Sequence, residues 1–156
     1  MKGRLPDSAR TLMRYSLPQP YEDLGHTADV GLRVRGGSAE EALARLALAL
    51  GGLLSGGGAT PLAREERLVV AGGPSPTGTA VALLRELLFR FATERLLPAE
   101  VEVHRADEAG AEATVGFAKY DEERHAEGVD VKAVTWHAAR LEPEGGGWVA
   151  QVVLDI

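Results

Sequence analysis

Apolar and polar residues follow two different periods along this chain, and each period predicts one kind of element. Val30, Leu32 and Val34 alternate with small or charged residues, which indicates a half-buried strand. The spacing then becomes helical after Ser38, and Glu41 three residues later completes a capping-box signature. The predicted apolar face of this helix comprises Ala42, Leu43, Leu46, Leu50 and Leu53.

A second helical pattern follows a short predicted strand at residues 68–71. We expect Thr77 or Thr79 to cap this helix and the helix to run to about Leu96, since a proline follows there. Its predicted core stripe comprises Leu84, Leu87, Leu88 and Phe91. Between the two helices, residues 56–58 (GGG) lack the Gly-Lys-Ser/Thr ending of a phosphate loop and are predicted to be a linker.

The rest of the chain has the period of two that is typical of strands. Strands are predicted around Val101 and Val103, at residues 114–117, and as a long pair at residues 129–141 and 148–154. The intervening EPEGGG predicts a hairpin with a longer loop. Two helices and six or seven strands, with the strands mainly late, predict an α+β fold: two layers, with two helices packed on a largely antiparallel mixed sheet.

The length of 156 residues fits one domain. Residues 1–20 are predicted to be a flexible N-terminal extension, because Pro18 and Pro20 stop regular structure, and residues 21–156 to be the folded domain. The chain has neither the apolar region of a signal peptide nor an apolar run of the roughly 20 residues that span a bilayer. We therefore expect a cytoplasmic protein without membrane contact.

Charge and cysteine content narrow the classes of function. The net charge of −6 argues against a chain that binds nucleic acid by itself, since such binding depends on Lys and Arg contacts with phosphates. The absence of cysteine excludes disulfides, thiol catalysis and thiolate metal sites. Any metal must therefore be held by oxygen or imidazole ligands.

Two aspartates at the ends of the folded domain are the main candidates for a site. Asp29 follows His26 and Thr27 at a strand entrance, where this group either binds a cation or shapes the chain through local hydrogen bonds. Asp155 lies beside the terminal carboxylate of Ile156, after an apolar strand that would hold it in place. Carboxylates fixed close together repel unless a proton, a cation or a basic side chain intervenes, and oxygen ligands suit calcium or magnesium.

The predicted hairpin brings one lysine toward this position. If Leu141 pairs with Trp148, then Asp155 lies opposite Val134, and Lys132 shares its face. Lys132 is then either a group that neutralises the carboxylates or reaches a phosphate, or a solvated strand lysine. A register slip of one residue would move Asp155 to the other face.

The histidines are more typical of structural residues than of a catalyst. His137 lies in a predicted strand, where a lone histidine is usually structural, and His104 and His125 are weaker candidates still. No Ser-His-Asp order or dinucleotide fingerprint is present. A metal-dependent hydrolase is disfavoured, because no positioned nucleophile or general base accompanies the carboxylates.

Three segments together resemble the archease family. Residues 21–30 (YEDLGHTADV) are similar to its opening, residues 131–137 (VKAVTWH) to its second block, and residues 148–156 (WVAQVVLDI) to its ending. The chain departs from the family pattern at Gly25, where an acidic residue is common, and at Trp136, which replaces a common tyrosine. Residues 92–94 (ATE) also lack the first carboxylate of a frequent Asp-Thr-Glu run.

This resemblance implies an accessory role in RNA joining. Archeases activate the RtcB-type RNA ligase of tRNA splicing and RNA repair, promoting the GTP- and manganese-dependent guanylylation of a ligase histidine and multiple turnover. It implies that Asp29, Asp155 and Ile156 bind a divalent metal ion, taken in the family to be calcium, and that Lys132 is needed for ligase activation. The chain itself would be no enzyme and would meet RNA only indirectly. The alternative function is a chaperone-like binding module for RNA-processing proteins.

Overall fold

The apolar segments fold into two antiparallel sheets with helices packed against both. The computed structural model describes residues 13–24 and 29–156, and these contain eight strands and two helices. The helices are α1 (Ala39–Ser55) and α2 (Pro76–Glu94). The strands are β1 (Arg14–Ser16), β2 (Glu22–Asp23), β3 (Asp29–Gly36), β4 (Leu62–Ala71), β5 (Leu96–Asp107), β6 (Gly110–Lys119), β7 (Ala133–Glu144) and β8 (Gly147–Asp155).

The predicted α+β class, with two helices on antiparallel sheet, is confirmed. The strands divide into a first sheet with the order β1-β5-β6-β4 and a second sheet with the order β2-β3-β8-β7. All strand pairs among the described residues are antiparallel, where the sequence had suggested one mixed sheet. α1 contacts β5 of the first sheet and β3 and β8 of the second, and α2 contacts mainly β7 and β5.

Helix α1 begins as the capping signature predicted. The hydroxyl of Ser38 accepts a hydrogen bond from the backbone N–H of Glu41 at 3.1 Å. The Glu41 carboxylate in turn accepts from the N–H of Gly37 at 2.6 Å, one residue before the usual partner. The helix ends where Gly56 takes a left-handed conformation, with φ 64°, and donates to the carbonyl of Gly52.

The surface of α1 is buried on more sides than the predicted apolar face. Ala44, Leu48 and Leu54 are also nearly inaccessible, although they lie outside the stripe of apolar residues. The reason is that sheets lie against the helix on different sides, so almost the whole helix surface is interior. A helix this rich in Leu and Ala therefore forms the centre of the hydrophobic core.

Helix α1 approaches β5 so closely that one position has no space for a side chain. A Cβ atom on Gly51 would lie 2.0 Å from the carbonyl oxygen of Pro98. A Cβ on the neighbouring Gly52 would meet only Leu17 Cδ2, at an ordinary 3.7 Å. Gly51 therefore cannot carry a side chain without moving α1 away from β5, whereas Gly52 has space for one.

The start of α2 differs from the prediction that Thr77 or Thr79 caps it. The N-cap is Ser75, and a proline with the fixed φ that suits a first helical position follows it. The two threonines instead bind neighbouring strands. Thr77 accepts from the N–H of Leu141 at 2.9 Å, and Thr79 donates to the carbonyl of Asp107 at 2.5 Å.

The end of α2 also differs from the expected end near Leu96. The helix ends at Glu94, because Arg95 adopts a left-handed conformation with φ 56°. The Arg95 guanidinium lies 4.4 Å from the ring centroid of Phe91 and 4.5 Å from that of Tyr120. These cation–π contacts accompany the change of direction into β5, which starts at the next residue.

The hairpin between β7 and β8 has a shorter loop than the sequence suggested. Glu144 pairs with Gly147, so the loop is Gly145 and Gly146 alone, with φ values of 61° and 83°. Two residues with positive φ match the twist of a two-residue hairpin. At its tip, Glu144 forms ion pairs with Arg140 and Arg35. Hydrogen bonds first from Arg140 and then from Arg35 lower the pKa of the Glu144 carboxyl to about 2.

Part of the predicted N-terminal extension pairs with the first sheet. Residues 1–12 lie outside the described residues, whereas Arg14–Ser16 form β1 along β5. The Arg14 guanidinium contacts Glu65 at 2.8 Å, Glu100 at 3.2 Å and Glu102 at 3.4 Å. Among the described residues, no helix has the length and apolarity needed to cross a bilayer.

The contact at Gly51 gives a stability prediction. Replacing Gly51 by Ala places a methyl group inside the van der Waals radius of a backbone carbonyl, and overpacking of this kind costs about 3 kcal/mol. We expect urea denaturation to show that loss of unfolding free energy. Gly52→Ala is the matched control and should be neutral or stabilising by up to about 1 kcal/mol, since Ala favours helix over Gly. Equal effects of the two substitutions would contradict the close approach.

The tip of the hairpin gives a pH prediction. The pKa of Glu144 is lower in the folded protein than its ordinary value of 4.5, so its ion pairs stabilise the fold above that value. This contribution should decrease below pH 4.5 and disappear as the pH falls through about 2. Thermal melts of wild type and Glu144→Gln should therefore differ at pH 7 and converge near pH 2. Glu122→Gln, on an exposed turn, is the control. Its melting temperature should already equal that of the wild type at pH 7 and should stay equal as the pH falls.

Candidate functional site

The two candidate aspartates meet across neighbouring strands. Asp29 is the first residue of β3, Asp155 is the last of β8, and they are direct partners in the antiparallel register. In the next pair, Leu154 lies in the core and Val30 packs against it. Because side chains alternate along a strand, both aspartates point to the opposite, outer face of the second sheet. Side chains in such a pair have Cβ atoms about 5 Å apart, and like charges placed there destabilise the sheet.

Ile156 anchors the segment that carries Asp155. Ile156 is half-buried and its side chain packs against the core, which anchors the chain end directly after Asp155. Asp155 itself is exposed and Asp29 is half-buried. The carboxylates of Asp29 and Asp155 and the backbone of Ile156 are therefore held at one end of the second sheet.

The backbone of Lys132 contacts this end of the sheet, although the predicted register of β7 and β8 is wrong. Its N–H donates to the carbonyl of Asp155 at 2.7 Å. Asp155 pairs with Ala133 and not with Val134, which instead pairs with Leu154 in the core. The expectation that Lys132, Val134 and Asp155 share a face is therefore wrong, because strand alternation puts the neighbours of Ala133 on the other face. Lys132 is exposed and lies beside the end of β8 through its backbone.

Two irregularities explain the change of register. The tight glycine loop pairs Leu141 with Ala150, not with Trp148 as predicted. Between the pairs Thr135–Val153 and Arg140–Gln151, the four residues 136–139 of β7 stand against one residue of β8, which forms a large bulge. Neither the loop length nor the bulge is evident from the period of the sequence.

Gln151 is a site-supporting residue that the sequence analysis missed. It is 6% exposed and donates through Nε2 to the carbonyl of Ala138, within the bulge, at 2.8 Å. Arg33 donates to its Oε1 at 3.3 Å, and Thr135 fixes the adjoining row by donating to the carbonyl of Val153 at 2.9 Å. A single glutamine inside the apolar sequence of β8 was the available signal, since buried polar groups need partners.

The two ends of the outer face have different electrostatics. At the hairpin end, Arg35 and Arg140 neutralise Glu144, and nearby Arg33 donates to Glu22 at 2.9 Å and lowers the pKa of that carboxyl. At the other end, neither Asp29 nor Asp155 forms an ion pair with a side chain in the described part of the chain. Residues 25–28, which include the candidates His26 and Thr27, lie outside the described residues.

The donor chemistry of this acidic end suits a hard divalent cation. Asp29 and Asp155 offer only oxygen ligands, as calcium prefers. Within residues 13–24 and 29–156 no cluster of three or more His, Asp or Glu side chains is arranged to hold a metal. The two aspartates therefore fit a cation only together with the chain terminus, water or other donors.

The remaining histidines do not join this site. His125 is fully buried, where Nε2 donates to the carbonyl of Ala59 at 2.7 Å and Nδ1 accepts from the N–H of Asp121 at 3.0 Å. The ring of His104 bonds the hydroxyl of Thr114 at 2.8 Å. These contacts are structural, and His137 is exposed on the bulge of β7.

Comparison with known proteins finds relatives across almost the whole chain. The model of the Archease protein family matches residues 21–156. "Protein archease" of Methanopyrus kandleri is 33% identical over 144 residues, covering 88% of this chain and 99% of that protein. "Protein archease" of Pyrococcus furiosus is 33% identical over 141 residues, covering 87% and 98%.

Two solved structures share the fold of this chain. The solution structure of protein 1598 from Methanobacterium thermoautotrophicum is 27% identical, with a TM-score of 0.66 and coverage of 87% of this chain and 98% of that one. The crystal structure of an archease from Thermotoga maritima, described as a possible chaperone, shares the fold with a TM-score of 0.56 at 21% identity. It covers 91% of this chain and 99% of that one. By family match and by identity over most of its length, this chain belongs to the archease family.

Proposed function

We propose that this protein is an accessory factor that activates an RtcB-type RNA ligase in tRNA splicing and RNA repair. The observation that carries the proposal is the direct pairing of Asp29 with Asp155 beside Lys132 in a chain of the archease family. Paired carboxylates without a described cationic partner are costly for the fold, which favours a role in binding. The chemistry of RNA joining would belong to the ligase, so this chain acts without being an enzyme.

Asp29, Asp155 and the carboxylate of Ile156 would hold a divalent cation, calcium by the resemblance to the family. A cation held there offsets their negative charge and offers a positive centre to phosphate oxygens. Lys132 would supply a second positive charge, since its backbone is hydrogen-bonded to Asp155 and its long, exposed side chain starts beside the end of β8. The site lies at the ends of the two central strands of the second sheet, where Asp155 is exposed.

The step that this acidic end would promote is the guanylylation of the ligase. There the ligase histidine attacks the α-phosphorus of GTP, a phosphorus–nitrogen bond forms, and pyrophosphate leaves with the electrons of the broken bond. Lys132 and the aspartates would organise charge around the phosphates during that attack. RNA would meet this chain only through the ligase, in the cytoplasm.

Loss of either aspartate should strongly reduce the activation. We expect Asp29→Asn and Asp155→Asn to reduce the stimulation of multiple-turnover ligation at least about tenfold, since even outer partners of a metal site change affinity by 10–100-fold. Asp130→Asn, an exposed carboxylate near Lys132, is the matched control and should stimulate like wild type. A ligase that is already guanylylated should complete one round equally well with every variant. Full stimulation by both folded aspartate variants would refute the mechanism.

Cation binding is testable without the ligase. Isothermal titration with CaCl₂ should give one site per chain, and calcium should raise the melting temperature of the wild-type protein by mass action. Asp155→Asn should lose both responses, whereas Asp130→Asn should keep them. Equal calcium responses of the wild type and Asp155→Asn would place any bound cation elsewhere.

A chaperone-like binding module for RNA-processing proteins is the second candidate function. The fold neighbour from Thermotoga maritima, described as a possible chaperone, is the observation that favours it. Such a protein would suppress the aggregation of unrelated clients and would not need Asp155. Light scattering of a heated client with wild type and Asp155→Asn separates the two functions.

A further inference from the structure

A strip of exposed aromatic and cationic side chains runs along the junction of α2 and β7. Trp136 is 49% exposed and Phe89 is 58% exposed, although both are large apolar residues. Arg85 lies between them and is also exposed. We call Trp136, Arg85 and Phe89 the aromatic strip.

The β7 bulge and a glycine of α2 position the first ring of the strip. Trp136 is the first bulged residue, and Gln151 holds the bulge through the carbonyl of Ala138. The Trp136 ring lies on α2 at Gly78, where a Cβ atom would be only 3.1 Å from its Cη2 atom. The helix backbone therefore supports one part of the ring, while about half of the side chain stays open to solvent.

Helical periodicity aligns the other members with this ring. Gly78, Arg85 and Phe89 are separated by seven and four residues and thus lie on one side of α2. Arg85 Nε donates to the carbonyl of Val134 at 3.1 Å, which places the guanidinium at the start of β7, near Lys132. Unlike most arginines of the described part, Arg85 forms no ion pair with a described carboxylate.

The composition of the strip is that of a protein-binding hot spot. Trp, Phe and Arg are enriched at the centres of protein interfaces, where the rings enter pockets and the guanidinium pairs with carboxylates. Scattered exposed apolar residues are ordinary, but here two aromatic rings lie on either side of an arginine along one side of α2. Single-stranded RNA also stacks on aromatic residues. The net charge of −6 and the carboxylates next to Lys132 oppose such a polyanion.

We propose that the aromatic strip docks the RNA ligase, and this inference rests on the proposed function. The complementary face of the ligase would offer an apolar pocket for Trp136 and Phe89 and a carboxylate for Arg85. Arg85 bonds the backbone carbonyl of Val134, two residues from Lys132, whose N–H bonds the end of β8. A partner that docks on the strip and covers the edge strand β7 therefore comes next to Asp29 and Asp155. Binding and activation are thereby assigned to separate residues, the first beside α2 and the second on the outer face of the second sheet.

This separation gives a direct test by binding and by stimulation. Calorimetry with the purified ligase should show that Trp136→Ala weakens binding about 30-fold, as truncation of an aromatic anchor does, and that Phe89→Ala also weakens it. Val69→Ala is the matched control, because Val69 is 68% exposed on β4 of the first sheet, and it should change binding less than about twofold. The strip variants should need more protein for half-maximal stimulation of ligation but reach the wild-type maximum. Asp155→Asn should bind like wild type and fail to stimulate.

Different results would overturn different parts. If Trp136→Ala and Phe89→Ala, both with wild-type circular dichroism melts, bind the ligase as Val69→Ala does, the strip is not the docking surface. If the isolated protein binds a fluorescein-labelled single-stranded RNA and Trp136→Ala abolishes that binding, the strip is an RNA surface instead. Normal stimulation by Asp155→Asn would refute the proposed mechanism while leaving the docking result intact. The absence of any complex with the ligase would overturn both.

Discussion

Strand β8 determines which residues of this protein meet. It pairs with β3 on one side and with β7 on the other, and its last residue is therefore next to the first residue of β3 and close to the start of β7. Residues far apart in sequence, Asp29 and Asp155, become direct neighbours through one antiparallel ladder. The inner face of β8 packs in the core through Ala150, Val152 and Leu154, which keeps the ladder from slipping, because a slip would expose this face.

The helices pack on the core face of this ladder and make it rigid. α1 is buried almost completely between strands of both sheets, and its contact with Pro98 at Gly51 leaves no free space for the helix to shift. α2 is tied to β7 by Thr77 and by Arg85, each through one backbone group of the strand. The outer face of the second sheet can then carry, at one end, carboxylates without an ion-pair partner among the described residues and, at the other end, ion pairs, because its geometry is maintained by the opposite face.

The sequence period was sufficient for the class of fold and for several local features. It identified both helices, the capping interaction of Ser38 and the strands that carry Asp29 and Asp155. It could not show that the strands divide into two sheets, since periodicity describes one chain segment and not the neighbours of that segment. It also placed Val134 opposite Asp155, because pattern alone reveals neither a two-residue glycine loop nor a bulge. Arg85 and Phe89 were missed for a similar reason: they stand outside the core stripe of α2, where the apolar pattern carries no information.

The bulge of β7 separates the strand into two segments with independent registers. Toward the hairpin, Leu141 faces Ala150, whereas toward the chain terminus Val134 faces Leu154, an offset of three residues between the segments. Changes of length at the glycine loop can be absorbed where residues 136–139 leave the ladder, without moving the pairs that end at Asp155. A longer or shorter hairpin is therefore compatible with the same geometry at the acidic end.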